Sequence, residues 1–436
     1  MSRPRGFSDL AGQRVGIWGL GIEGRAAQRA LLAVGVTPVL VDDARLDDLD
    51  VLVTTEGGLE ALASCQVVLK SPGISKYRDD VEQLRHAGVN VTSALAVWLA
   101  GTDRSRVIAV TGTKGKSTTT SLITFMLGTI GIPAVSAGNI GVPPYDPDAD
   151  LGDQMIVLEV SSFQACDIRD SPAIVAITSL GEDHIDWHGS RENYHRDKLS
   201  LTHAEGEHTT LLANSAELTQ RESEFGGEVR ISGSDEAGLA TSLGLLGEHN
   251  ARNVSLALAV TSHVSRHNLE TTRVAVEENC TSYSALPGRF SLVCERDGVS
   301  FIDDGLATSP LPVIAALQIC GDSPVSLLVG GFDRGVNYQG LIDAISNRSA
   351  KTQIFTFGPA GKRIAELCES GDSLSFDTFE EAVRAACART SSGFVLFSPA
   401  APSFDEYKNW LQRSLHFRDV VWSPGTELNR RPAHYE

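Results

Sequence analysis

The sequence predicts an α/β protein built from three units, each around an open, mostly parallel sheet. Three observations carry this prediction. The chain has 436 residues, about three times a typical domain length. Short apolar strands alternate with helical patterns along it, and the alternation restarts near Val107 and again near Arg289. The expected units are 1–97, 98–288 and 289–436.

Composition bounds the class. The 42% apolar and 21% charged fractions are ordinary for a globular chain able to bury its own cores. With 37 Lys and Arg against 55 Asp and Glu, the net charge of −18 argues against a nucleic-acid footprint or adhesion to anionic lipid. Cysteines at 65, 166, 280, 294, 320, 368 and 387 form no CxxC pair. Reduced thiols in a cytoplasmic protein are therefore expected, and a structural zinc site is not. The N-terminal MSRPRGFSDLAGQR lacks the apolar core of a signal peptide, and no apolar run approaches the ~20 residues of a spanning helix. A cytoplasmic monomer with no membrane insertion is the expectation.

In the first unit, RVGIWGLGIEG reads as a strand entering a loop with Gly19, Gly21 and Gly24. A helix over 25–33 follows, then strand TPVLVDD ending at Asp42, strands at 50–54 and 67–69, and the turn Ser71-Pro72-Gly73. The GxGxxG spacing lets a phosphate approach backbone donors at a helix start, and Asp42 is placed to accept from a ribose. Three readings fit: a nicotinamide dinucleotide site, a structural helix-start turn, or a site for another nucleotide-containing substrate.

The second unit opens with RVIAVTGTKGKSTTT, a strand followed by Gly112, Thr113, Lys114, Gly115, Lys116, Ser117 and Thr118. Backbone amides there can surround phosphate, Lys116 can neutralise its outer oxygens, and Ser117 can ligate magnesium. Glu159 closes the strand MIVLEV, where a carboxylate can face that loop. Another strand, PAIVAITSL, leads to Asp183, His184, Asp186, Trp187 and His188, a cluster able to supply a second metal ligand. Lys198, judged alone within RENYHRDKLSL, reads as a solvated helix residue. In the third unit SLLVGG, KTQIFTFG and GFVLFSPA read as strands, LIDAISNRS and FEEAVRAACAR as helices, and PGTELNRRPAHYE as a tail.

Taken together, GTKGKST, EVSSFQ, DHIDWH, Lys198, LGEHNARN, LPGRF, DDGLAT, GGFDRG and SPAAPSFDEYKNW resemble the Mur ligase family of peptidoglycan synthesis over nearly the whole chain. The resemblance implies an N-terminal Rossmann-like domain, a central P-loop ATPase-like domain and a C-terminal Rossmann-like domain. It implies ATP as co-substrate, bound by the 112–118 loop with Asn250, Asn253, Arg289 and Asp304. It also implies two magnesium sites, one at Ser117 and Glu159 and one at His184 and a carbamylated Lys198. Lys116, Glu159, His184 and Lys198 become the catalytic set. Ile22, Glu23, Asp42, Ser71, Asn139 and Gln164 become contacts of a UDP-sugar substrate, which displaces the dinucleotide reading.

The implied activity is ligation of glutamate to UDP-N-acetylmuramoyl-L-alanine through an acyl phosphate. The acceptor region departs from the family's common D-glutamate pattern. Where NDSKATN is usual, this chain has Asp303-Asp304-Gly305-Leu306-Ala307-Thr308-Ser309, so Leu306 replaces a lysine. Lys114 replaces a phosphate-loop asparagine, Arg334 a lysine and Trp410 a phenylalanine, and Arg413-Ser414 stands where RG is usual. Thr308, Arg334, Ser403 and Trp410 are the expected glutamate contacts, and both enantiomers stay open. An L-glutamate-adding branch implies a separate downstream epimerase as partner. The alternatives are a folylpolyglutamate synthase-like ligase and a catalytically weak, nucleotide-sugar-binding regulatory homologue.

Overall fold

Three sheets organise the computed structural model, which describes residues 3–368 and 373–423. The first contains β1 (Val15–Trp18), β2 (Val39–Asp42), β3 (Leu52–Val53), β4 (Val67–Lys70) and β5 (Asn90–Thr92) in the order β3-β2-β1-β4-β5. Every pairing is parallel. The order reverses beside β1, which opens a crevice where its glycine loop emerges. Trp18, Val41, Leu62 and Val68 lie in the core of this sheet.

The second sheet contains β6 (Val107–Thr111), β7 (Ala134–Gly138), β8 (Met155–Glu159), β9 (Ile174–Ile177), β10 (Thr209–Leu212) and β11 (Glu228–Ile231). Its order is β11-β10-β9-β6-β8-β7, again wholly parallel. Residues 107–110 are all buried, which explains their unbroken apolar run: helices cover both faces of such a sheet. The strands flanking β6 are β8 and β9, so the loops after residues 111, 159 and 177 emerge side by side.

The third sheet contains β12 (Ser291–Arg296), β13 (Val299–Asp303), β14 (Val325–Gly330), β15 (Thr352–Phe357), β16 (Ser373–Phe376) and β17 (Gly393–Phe397), ordered β12-β13-β17-β14-β15-β16. Apolar clusters cover its two faces, one around Leu327 and Leu396, the other around Phe355 and Phe397. β12 is antiparallel to β13. The two join at Asp297-Gly298, where both residues have positive φ (50° and 77°), as a tight hairpin turn requires.

The chain packs into two compact bodies. One runs to Glu236 and adds Ala251–Cys280; the other comprises Ala237–Asn250 and the residues from Thr281 onward. The first body holds two sheets, tied by a buried Lys70–Asp167 ion pair of 2.6 Å and by Gln164 Nε2 donating to Glu23 Oε1 at 2.6 Å. Tyr77 OH donates to Asp197 Oδ2 at 3.0 Å across the same seam.

Two expectations change in detail. The strand expected over 50–54 is only Leu52–Val53, because Thr54–Gly58 coils into a turn with Gly57 at φ 94°. The tail reading falls on 424–436, outside the described residues. Among the described residues, no helix is long and apolar enough to cross a membrane.

Candidate active site

The glycine loop after β6 is built by steric necessity. Gly112 has φ 147°, and a Cβ there would lie 2.1 Å from Thr178 Oγ1. Gly115, at φ 87°, caps the helix Lys116–Thr129, and a Cβ there would lie 2.6 Å from Asn253 Oδ1. Asn253 is thereby packed directly against the loop. Ser179 Oγ accepts from Lys114 N at 2.9 Å, and Tyr194 OH lies 2.8 Å from Thr113 Oγ1. Ser117 and Thr118, on the first turn of the helix, are buried. A helix N-terminus behind a rigid glycine loop favours an anion.

Two lysines converge on one carbonyl. Lys116 Nζ donates to Gly112 O at 3.1 Å, and Lys198 Nζ donates to the same oxygen at 2.8 Å. Lys198 is 2% exposed, which corrects the reading of a solvated helix residue. The helix Arg191–Leu199 turns this position inward, and its polar sequence hid that. Burial, with Lys116 nearby, pushes the Lys198 pKa well below the ordinary lysine value, favouring the neutral nucleophilic amine.

Glu159 is 1% exposed. Its Oε1 accepts from Asn139 Nδ2 at 2.8 Å, while its buried Oε2 has no hydrogen-bond partner. An orphaned carboxylate oxygen is costly unless something meets it, and a hard cation suits it. Among the described residues, no three His, Cys, Asp or Glu gather into a metal cluster. Magnesium does not need one, since it is commonly held by one or two protein groups plus phosphate and water. The residues present fit that ion.

His184 has φ 51° and its ring packs 4.8 Å from that of Phe163. Burial, aided by Lys114 and Lys116, lowers its pKa against the pull of Asp183 and Asp186. Burial opposes ionisation of Asp183, but Lys114 and His184 outweigh it and hold that pKa low. His188 is not available as a ligand. Its Nδ1 lies 2.7 Å from Asp197 Oδ2 and its Nε2 3.0 Å from Ser162 Oγ, all three residues being buried. Sequence reading missed this relay and Tyr194, and the HxxxxN spacing around them carries no recognised signal.

At the first glycine loop, Gly24 permits close packing, since a Cβ there would lie 1.9 Å from Gly19 O. Asp42 Oδ2 accepts from Leu20 N at 2.6 Å, and Ser71 Oγ donates to Gly19 O at 2.7 Å. Ile22 is 77% exposed at the loop's end. Glu23 also accepts from Tyr145 OH at 3.0 Å; burial raises its pKa despite these donors and Lys70. Glu23 and Gln164, both assigned from sequence to the UDP-sugar, are thus neighbours here, while Asn139, assigned there too, meets the magnesium candidate Glu159.

The remaining predicted residues lie in the second body. Asn250 Nδ2 donates to Leu246 O at 2.8 Å. The loops after β13, β17 and β14 emerge from adjacent strands and carry Asp304 and Thr308, Ser403, and Arg334. Arg334 is exposed, its guanidinium 5.9 Å from the Phe404 ring centroid. Ser403 is buried, and Trp410 begins the helix Trp410–Trp422. Burial raises the Asp304 pKa to about 7, against hydrogen bonds from Ser398 and the Phe290 amide. Arg289 is half-buried beside that segment.

The family model for the Mur ligase middle domain matches residues 110–223. A UDP-N-acetylmuramoyl-L-alanine--L-glutamate ligase from a Micromonospora species is 36% identical over 455 aligned residues, covering 95% of this chain and 98% of the relative. The chain belongs to the Mur ligase family. An enzyme of the same name from Salinispora tropica is 35% identical, with 95% and 98% covered. The UDP-N-acetylmuramate-alanine ligase of Thermotoga maritima shares the fold at 16% identity and a TM-score of 0.55, with 94% of this chain and 99% of that chain covered. This Mur ligase is thus of the ATP-dependent acid–amino-acid ligase type of peptidoglycan synthesis, with the three-domain α/β architecture.

Proposed function

We propose that this Mur ligase joins L-glutamate to UDP-N-acetylmuramoyl-L-alanine using ATP. The observation that carries the reading is the convergence of Lys116 and Lys198 on the Gly112 carbonyl, just after the strand next to the one that ends in Glu159 with its unpartnered buried oxygen. Such a site suits a triphosphate whose outer phosphoryl group is to be moved. The choice of L-glutamate rests on the names of the two similar ligases and on Leu306, which removes the cation expected near a D-glutamate carboxylate.

In the first step the alanine carboxylate attacks the γ-phosphorus of ATP, and ADP leaves. In the second, the neutral α-amine of glutamate attacks the acyl carbon, phosphate leaves, and the amine's proton passes to a base. Lys116 offsets charge on the moving phosphoryl group, and the glycine loop fixes its approach. Magnesium, held by Ser117 and Glu159 and by His184 with a carbamylated Lys198, would supply further screening of phosphate charge. Glu23, Gln164 and Asn139 orient the nucleotide sugar.

The test uses purified protein, ATP, magnesium, UDP-N-acetylmuramoyl-L-alanine and each glutamate enantiomer separately, with product mass and chirality measured. Product with L-glutamate alone is expected. Product with D-glutamate alone overturns the stereochemical choice and removes the need for an epimerase acting on the product. No adduct with either enantiomer overturns the ligation itself, and activity on folates instead would select the folylpolyglutamate reading.

A further inference from the structure

Asp303, at the end of β13, is fully buried and accepts four hydrogen bonds. Gly288 N donates to its Oδ2 at 2.9 Å and Gly305 N to its Oδ1 at 3.1 Å. Ser414 Oγ donates to Oδ1 at 3.0 Å and Arg418 Nε to Oδ2 at 2.8 Å, both from the helix Trp410–Trp422. One carboxylate therefore joins three segments: the chain flanking Arg289, the loop leading to Thr308, and the helix that carries Trp410. Leu306 N closes the same ring by donating to Gly288 O at 3.0 Å. The adjoining Phe290 is held at φ 51°, a conformation that an aromatic residue keeps only when its surroundings enforce it.

Around this carboxylate the chain departs at two positions from the motifs that the Mur resemblance implies. Where the Mur pattern NDSKATN has serine this chain has Gly305, and where RG has glycine it has Ser414. A Cβ at 305 would lie 2.1 Å from Ser414 Oγ and 2.8 Å from Phe397 Cε1. Serine at both positions does not fit. The helix provides the hydroxyl, and Gly305 leaves the room it needs.

We propose that Asp303, itself anchored by Ser414 and Arg418, is a positioning residue that holds the loop Asp304–Thr308 at a fixed separation from the segment Gly288–Phe290, and so fixes the pocket for the acceptor amino acid. What that pocket binds rests on the ligase reading above; the locking of the two segments does not.

Four variants test it: Ser414→Ala, Gly305→Ser, Ser414→Gly, and the last two combined. Each is measured for KM of glutamate, KM of the UDP substrate, thermal midpoint, and amide hydrogen exchange at 286–290 and 303–308. Ser414→Ala is expected to raise glutamate KM about five- to tenfold, as loss of a buried hydrogen bond to a charged group implies. The UDP-substrate KM should stay put while exchange quickens in both segments together. Gly305→Ser should raise glutamate KM by about tenfold or more through overpacking; adding Ser414→Gly removes the contact with the hydroxyl but leaves the one with Phe397, so it should return only part of that loss. Unchanged exchange at both segments, or equal shifts in both KM values, overturns the proposal. A parent enzyme that forms no glutamate adduct removes the ligase reading, and the exchange data then decide the locking by themselves.

Discussion

The Lys198 amine, buried against the Gly112 carbonyl with Lys116 nearby, is shifted toward its neutral form. If carbon dioxide adds to it, Lys198→Ala should lose turnover by roughly 10²-fold or more and regain part of it when a short carboxylic acid fills the vacated space. Full activity of the unrescued variant would remove the modification from the account. Asp304 shows the opposite use of burial. Its pKa of about 7 in the fold lies above the ordinary 3.8, so the folded state holds its proton more tightly. Stability from this group is complete below pH 3.8, declines as pH rises towards about 7, and is fully lost above that. The cost at pH 8 is about 4 kcal/mol by linkage. Asp304→Asn should therefore flatten the fall in thermal midpoint between pH 5 and pH 8; an equal fall in both proteins would contradict the assignment.

For the elements, the decisive feature is adjacency. β6, flanked by β8 and β9, brings Gly112, Glu159 and Thr178 to one sheet edge. Gly112→Ala would press a methyl group against Thr178 and the Ser179 backbone. A displacement of about 1 Å in a phosphate loop costs roughly 10²-fold in rate, so ATP turnover should fall far more than the thermal midpoint. Much of this was legible. The apolar runs at 107–110 and 155–159 and the glycines between strand and helix announce a parallel sheet with a phosphate loop. The hairpin at Asp297-Gly298 was not read from the sequence, because the parallel pattern around it obscured its turn dipeptide. The inward turn of Lys198 and the Ser162–His188–Asp197 relay were not legible, because burial of polar side chains depends on partners distant in sequence. The four donors on Asp303 were hidden for the same reason: they come from residues 288, 305, 414 and 418.

At the scale of the molecule, the first body depends on charge pairing across its two sheets. The side chains of Lys70 and Asp167 are 0% and 5% exposed. Asp167→Asn would strand a buried ammonium and should cost about 3–5 kcal/mol in urea unfolding, whereas replacing both residues with apolar ones of similar volume should cost much less. Equal losses would show that packing, rather than the uncompensated charge, sets the penalty. In the second body, the buried Asp303 ties the loop after β13 to Gly288 and to the helix Trp410–Trp422.

The central claim is that the alanine carboxylate becomes a phosphorylated electrophile before glutamate attacks. It is tested most directly by labelling that carboxylate with oxygen-18 and analysing the phosphate released as amide forms. The account predicts one labelled oxygen in each phosphate, carried from the carboxylate by attack on the γ-phosphorus. Unlabelled phosphate, released in step with the amide, would contradict it.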